Sequence, residues 1–269
     1  MTEKRKGRAF LEIFASALQE DYRFPILELF AFLYALSSFV LAGFNLMGGA
    51  PSEELAVYSL VFSLSGLPLN IFLLLVFKNI AFGLGSDLEK GTVQTIFSYP
   101  LKRHAVLTAK LLSAIGVSLL IFFSAQMFAL MILASDRILP YMHIVVLAYL
   151  ANLSYPLLLA FIILFVTLLV RKGGSALVLG IVLSFLINVF SGVAQLAAWM
   201  TKSAVPLQIL AVFNPAVALQ SHYNAFSSIV GPIWEPNLPE VMLYVGAGYA
   251  LVFFVLILSY DYFGRRLNL

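Results

Sequence analysis

The side chains able to carry covalent or metal chemistry are few and scattered. The three histidines, His104, His143 and His222, form no H-E-x-x-H pair and the chain has no cysteine, so neither a zinc hydrolase set nor a thiolate nucleophile is encoded. Glu53-Glu54 and Asp136-Arg137 fall in short turns, where solvated charge is the default. No G-x-x-x-x-G-K-[ST] occurs, and Gly83, Gly85, Gly173 and Gly174 lack the strand and lysine that cradle a phosphate. What the residues offer is recognition without bond making: one charged island over 83–104, and two polar stripes inside apolar segments.

The stripes share a period. Ser59, Ser63, Gly66 and Asn70 recur at i, i+4, i+7 and i+11, and Ser184, Asn188, Ser191 and Gln195 repeat that spacing, so each set lies on one face of a helix. In an apolar span such a face either lines a cavity or glues two helices by hydrogen bonds across them. Both readings stand for Ser59, Ser63, Asn70, Ser184, Asn188, Ser191 and Gln195 as candidates for a substrate path.

The elements carrying these residues belong to a polytopic membrane protein. With 62% hydrophobic and 11% charged residues over 269 positions and a mean hydropathy of +0.99, no polar shell for a water-soluble domain exists. The sequence predicts an all-α membrane protein of a single domain, 1–269, with six spans near 24–47, 55–82, 105–134, 141–170, 175–200 and 241–263. Between the fifth and sixth, Pro206, Pro215, Pro232, Pro236 and Pro239 break up the 201–240 region into short helices or a re-entrant element on the external side.

Fourteen of the sixteen Lys and Arg fall on one side of these spans, leaving Arg137 and Lys202 opposite. The positive-inside rule then places both termini and the island in the cytoplasm of a multi-pass plasma membrane protein. The same rule accounts for the net charge of +3 without nucleic acid as a partner. The basic N terminus leads into a long span rather than a short apolar core, the pattern of a retained segment. Within 1–23, Phe10, Ile13, Phe14, Ala17 and Leu18 oppose Glu12, Gln19, Glu20 and Asp21, which predicts an amphipathic helix at the cytoplasmic interface or packed on other loops. Glu28 sits near the cytoplasmic end of the first span, within reach of Arg23.

In the island, Ser86-Asp87-Leu88-Glu89 fits a capping box, so a helix is expected to start at Ser86. Leu88, Thr92, Ile96 and Tyr99 would form its apolar stripe, with Pro100 ending it. Gly91 inside that helix costs about 1 kcal/mol relative to alanine and permits close approach of another backbone.

The stretch Asp87-Leu88-Glu89-Lys90-Gly91-Thr92 through Pro100-Leu101-Lys102-Arg103, with Lys110 following, resembles the ABC-2 family of transporter permeases. The Arg171-Lys172 turn before Gly and Ser, and Asn214-Pro215 ahead of the last span, are similar to that family too. The resemblance implies a transmembrane subunit, not itself an enzyme, of an ATP-driven exporter. It implies that the loop helix at 83–104 is a coupling helix contacting a separate ABC ATPase subunit through Asp87, Glu89, Gly91, Thr92, Lys102 and Arg103. It implies ATP and Mg on that partner, with no cofactor on this chain, and a second permease copy or paralogue beside it in the lipid bilayer. Lipids, hydrophobic drugs, peptides and polymers all remain candidate cargo. The alternative functions are a non-transporting membrane scaffold or immunity-type protein, and an intramembrane enzyme, for which the sequence supplies no cluster of reactive groups.

Overall fold

The computed structural model describes residues 3–92, 101–223 and 233–266, and their regular structure is helical throughout. Helix α1 is Glu3–Asp21 and α2 is Ile26–Leu46. Helix α3 runs Glu53–Glu89, with a π-helical stretch at Asn79–Gly85 before the last turn Ser86–Glu89. Helix α4 runs Arg103–Ile138, again with a π stretch, Leu112–Val117. Helices α5, Met142–Val170, and α6, Gly173–Thr201, are joined by the two-residue turn at 171–172. Two short helices follow, α7 Val205–Phe213 and α8 Ala216–His222, and then α9, Leu238–Arg265.

Six of these, α2 to α6 and α9, are long and apolar enough to cross a membrane. Their bounds fall within a few residues of the six predicted spans, except that α3 extends seven residues past 82. The 201–240 region contributes α7 and α8, both too short to cross. Helices α3 and α5 form the centre, each with 56% of its most apolar stretch buried, against 11% for α6. Helix α2 packs on α3 and α4, α9 packs on α5, and α8 packs on α5 and α9. Helix α6 leans on α5 and meets α3 chiefly at the π stretch.

Inside a membrane, helices gain little from leaving lipid, so close approach and polar contacts must hold them together. Both devices are visible. A Cβ on Gly85 would lie 2.9 Å from the Gly173 Cα, and one on Gly173 would lie 2.5 Å from the Ala81 carbonyl oxygen, so α3 and α6 touch backbone to backbone. At Pro68, within α3, the ring removes the donor that Leu64's carbonyl would receive. The buried Gln126 of α4 replaces it, its Nε2 donating to the Leu64 carbonyl at 2.9 Å and to Ser38 Oγ at 3.2 Å, while Tyr149 donates to Gln126 Oε1 at 2.7 Å. One carboxamide thereby joins α2, α3, α4 and α5.

Helix α1 buries Ala9, Ile13 and Ala17, one helical stripe. Ile13 packs against Val106 and Ala109 at the start of α4, with Phe10 and Phe14 beside them. Of the two arrangements expected for this segment, packing on another element is therefore present.

Two expectations for the island are corrected. No helix begins at Ser86: Gly85 and Ser86 both have helical backbone angles and no side chain caps that turn, because the chain arrives there already helical from α3. The helix also does not run through Gly91. Gly91 has φ +71°, the left-handed conformation that ends a helix and that glycine adopts without strain. The rest of the predicted stripe, 93–100, lies outside the described residues.

Candidate functional site

Two polar features stand out, one at the end of the bundle rich in Lys and Arg and one beyond its middle. At the basic end, the last turns of α3 and the first turns of α4 are tied by an ion pair between Lys110 and Asp87, with side chains only 9% and 13% exposed. Glu20 of α1 lies 3.8 Å from the same ammonium group. Next to them Asp21, 4% exposed, accepts a hydrogen bond from the Ser113 hydroxyl. Lys78 donates to the Asp21 backbone carbonyl at 2.7 Å and to Asn79 Oδ1 at 3.0 Å. The Tyr22 hydroxyl shares a 2.7 Å hydrogen bond with Ser118 Oγ. Burial pushes the Asp21 carboxyl up to about 6, against the opposing pull of the Ser113 hydroxyl and of Lys78 and Lys110. Burial also raises Glu20, again partly offset by Lys110.

Several of these groups lie on or beside widened helical turns. The two π stretches, Asn79–Gly85 and Leu112–Val117, face each other, and Asn79 and Ser113 on them are buried. A widened turn re-aims side chains by inserting one residue per turn, a common accompaniment of functional sites. Beside the ion pair lies a notch of about 200 Å³ lined by Glu12, Ser16, Glu20, Asp87, Thr92 and Lys110.

Of the six residues expected to meet an ATPase, Asp87 and Thr92 line this notch. Asp87 is engaged with Lys110. Glu89 is exposed and accepts from the Gly173 amide at 3.3 Å, so it caps the N-terminus of α6 where the helix dipole favours a carboxylate. Gly91 forms the left-handed helix end, Thr92 is exposed, and Lys102 and Arg103 lie exposed at the start of α4.

The second feature is a cleft of about 330 Å³ between α3, α5, α6 and α8. Asn70 and Gly66 line it from α3, Asn152 and Tyr155 from α5, Asn188 and Gln195 from α6, and Asn214 and Gln220 from α8 and the residue pair before it. Glycine contact sets the register. Gly85 touches Gly173, and fifteen residues back along α3 and fifteen forward along α6 stand Asn70 and Asn188, at matching depth. Toward the basic end the bundle closes, with Leu75, Val76 and Ile80 of α3 and Leu164 and Leu168 of α5 all buried.

Of the predicted path residues, Asn70, Asn188 and Gln195 thus meet in one cleft. Ser59 instead lines a separate cleft of about 250 Å³ near the α2–α3 turn, where its carbonyl accepts from Asn45. Ser63 and Ser191 donate to their own helices, to the Leu60 and Ile187 carbonyls, and Ser184 lends its carbonyl to Asn188. Asn152, Tyr155, Asn214 and Gln220 were not singled out by periodicity. The signal for the first two was Asn152 to Pro156, a polar run with a proline inside an apolar span.

Among the described residues no cluster of three His, Cys, Asp or Glu side chains could hold a metal ion. No known protein-family model and no curated protein matches this chain.

Proposed function

We propose that this chain is the transmembrane permease subunit of an ATP-driven exporter, with ATP hydrolysed on a separate subunit docked at the basic end. In this reading the basic end and both termini face the cytoplasm, the membrane is the plasma membrane, and a second permease copy or paralogue completes the pathway. The observation that carries it is mechanical. The segment 90–102 leaves α3 next to the Asp87–Lys110 pair and rejoins the bundle at α4, while Glu89 and Gly85 of the same turn hold the start of α6. Helix α6 carries Asn188 and Gln195 into the polar cleft. A push on the 90–102 segment therefore has a short, packed route to the cleft, through charge and backbone contacts that leave little slack.

The test is reconstitution. The purified chain should co-purify with an ATPase encoded beside its gene, and the complex should hydrolyse ATP in lipid vesicles. Glu89→Arg, which reverses the charge at the α6 cap, should cut the stimulation of that ATPase by the permease at least five-fold while the chain stays folded. Recovery of no ATPase, or unchanged stimulation in Glu89→Arg, overturns the coupling. A complex that assembles yet shows no turnover would make the chain a scaffold.

A further inference from the structure

The cleft is uncharged. Six carboxamides converge on it, from Asn70, Asn152, Asn188, Gln195, Asn214 and Gln220, and no Asp, Glu, Lys, Arg or His is among its lining residues. Three of the six have a fixed orientation. Asn70, Asn152 and Asn188 each donate through Nδ2 to the carbonyl four residues back, at 3.0, 2.7 and 2.8 Å. With one amide N–H held there, the Oδ1 of each is left to accept and its second N–H to donate, from three different helices. Gln195, Asn214 and Gln220 make no side-chain hydrogen bond among the described residues and so offer donors as well as acceptors. The Tyr155 hydroxyl is buried without a partner among the described residues, and Asn152 is only 8% exposed. Pro156 lacks the N–H that the Asn152 backbone carbonyl would otherwise receive. Phe62 and Tyr155 supply aromatic faces.

Buried polar groups without partners cost free energy unless a ligand or water satisfies them. Asn70 and Asn188 are exposed at the cleft edge, on helices that would border lipid, where polar side chains mark pathways. The volume stands at the lower end of small-molecule sites, which start at about 300 Å³. From these features we infer that the cleft binds an uncharged, hydroxyl-rich group, a sugar ring or comparable polyol, whose O–H groups both donate and accept and whose apolar face lies on an aromatic ring. An anionic group finds no cation here to neutralise it. The inference deepens the exporter reading and rests on it for its biological purpose, but binding itself requires no ATPase.

The experiment uses the full chain, purified in a zwitterionic detergent free of sugar headgroups and placed in phosphatidylcholine vesicles. One arm adds a photoactivatable monoglucosyl diacylglycerol as probe, a second the same reagent built on phosphatidylglycerol, and a third competes the glucosyl probe with free methyl glucoside. The glucosyl probe should label peptides of α3 and α6, at least five-fold more strongly than the anionic probe. Competition by methyl glucoside would show that the headgroup alone is bound, and its absence that the site takes the lipid-borne sugar. Asn70→Ala and Asn188→Ala, both at exposed positions that leave packing intact, should each reduce labelling about five-fold, the loss of one hydrogen bond. The vesicles hold no ATPase, so a failure to label is a failure of binding and not of coupling. Equal labelling by the two probes overturns the inference, as does labelling indifferent to both asparagine variants. Loss of labelling on replacing potassium by sodium, the mark of a cation site built from the same carbonyls, overturns it too.

Discussion

Lys110 ties α1, α3 and α4 together through Glu20 and Asp87, and its removal isolates a nearly buried carboxylate. Breaking such a pair costs about 3–5 kcal/mol, whereas replacing both members by apolar groups is often neutral. Lys110→Met is therefore expected to lower the thermal midpoint in detergent sharply, and Lys110→Met with Asp87→Leu to recover most of the loss; equal loss in both would deny the pairing. Asp21 makes a pH-dependent contribution of the opposite kind. Its carboxyl is raised to about 6 in the fold, above its value in the unfolded chain, so between about pH 4 and 6 the folded state holds a proton that the unfolded state has released. That contribution favours the fold at low pH and is lost as pH rises through about 6. Asp21→Asn should flatten this part of the profile, read as the change in thermal midpoint between pH 5 and 7, and an unchanged slope would assign the dependence elsewhere. In the sequence Asp87 and Lys110 belong to the stretch that carries the family resemblance, but nothing there marks them as partners, because they stand on different helices and no hydrophobic period encodes their meeting.

At the level of helices, the α3–α6 contact relies on having no side chain. A Cβ at Gly173 would meet the Ala81 carbonyl oxygen at 2.5 Å, and backbone does not yield as a side-chain tip would. Gly173→Val should thus separate the two helices, lowering stability by a few degrees and weakening coupling together; a variant as stable and as active as the wild type would show the contact to be slack. Gln126→Leu tests the other device. It leaves the Leu64 carbonyl without a donor beside Pro68 and the Tyr149 hydroxyl without its acceptor, an expected loss of about 2–3 kcal/mol, checked by chemical denaturation in detergent. The limits of sequence reading show clearly in capping boxes. Ser86 to Glu89 has the pattern but sits within a continuous helix, while the box that forms is Asn237 with Glu240, where Asn237 Oδ1 accepts from the Glu240 amide at 2.9 Å and Glu240 Oε2 from the Asn237 amide at 3.2 Å. Both match the spacing; what differs is whether the preceding chain is already helical, a property of α3 as a whole. The i, i+4, i+7 stripes were likewise half legible. Period placed Asn70 and Asn188 on helix faces, but only the glycine contact fixes which faces meet.

For the molecule as a whole, hydropathy sufficed to place six long helices, since a run of apolar residues is the one signal a bilayer demands. It carried no information on arrangement, because neighbours in a membrane are chosen by small residues and isolated amides that leave the average unchanged. The arrangement itself has an electrical consequence. Between the polar cleft and the basic end, Leu75, Val76, Ile80, Leu164 and Leu168 are all buried, an apolar layer among the described residues that opposes a file of ions through the bundle. A planar bilayer holding the purified chain is expected to keep the resistance of bare lipid at 100 mM KCl, with no single-channel steps. An organism can then keep many copies in its membrane without draining the ion gradients on which its energy supply depends.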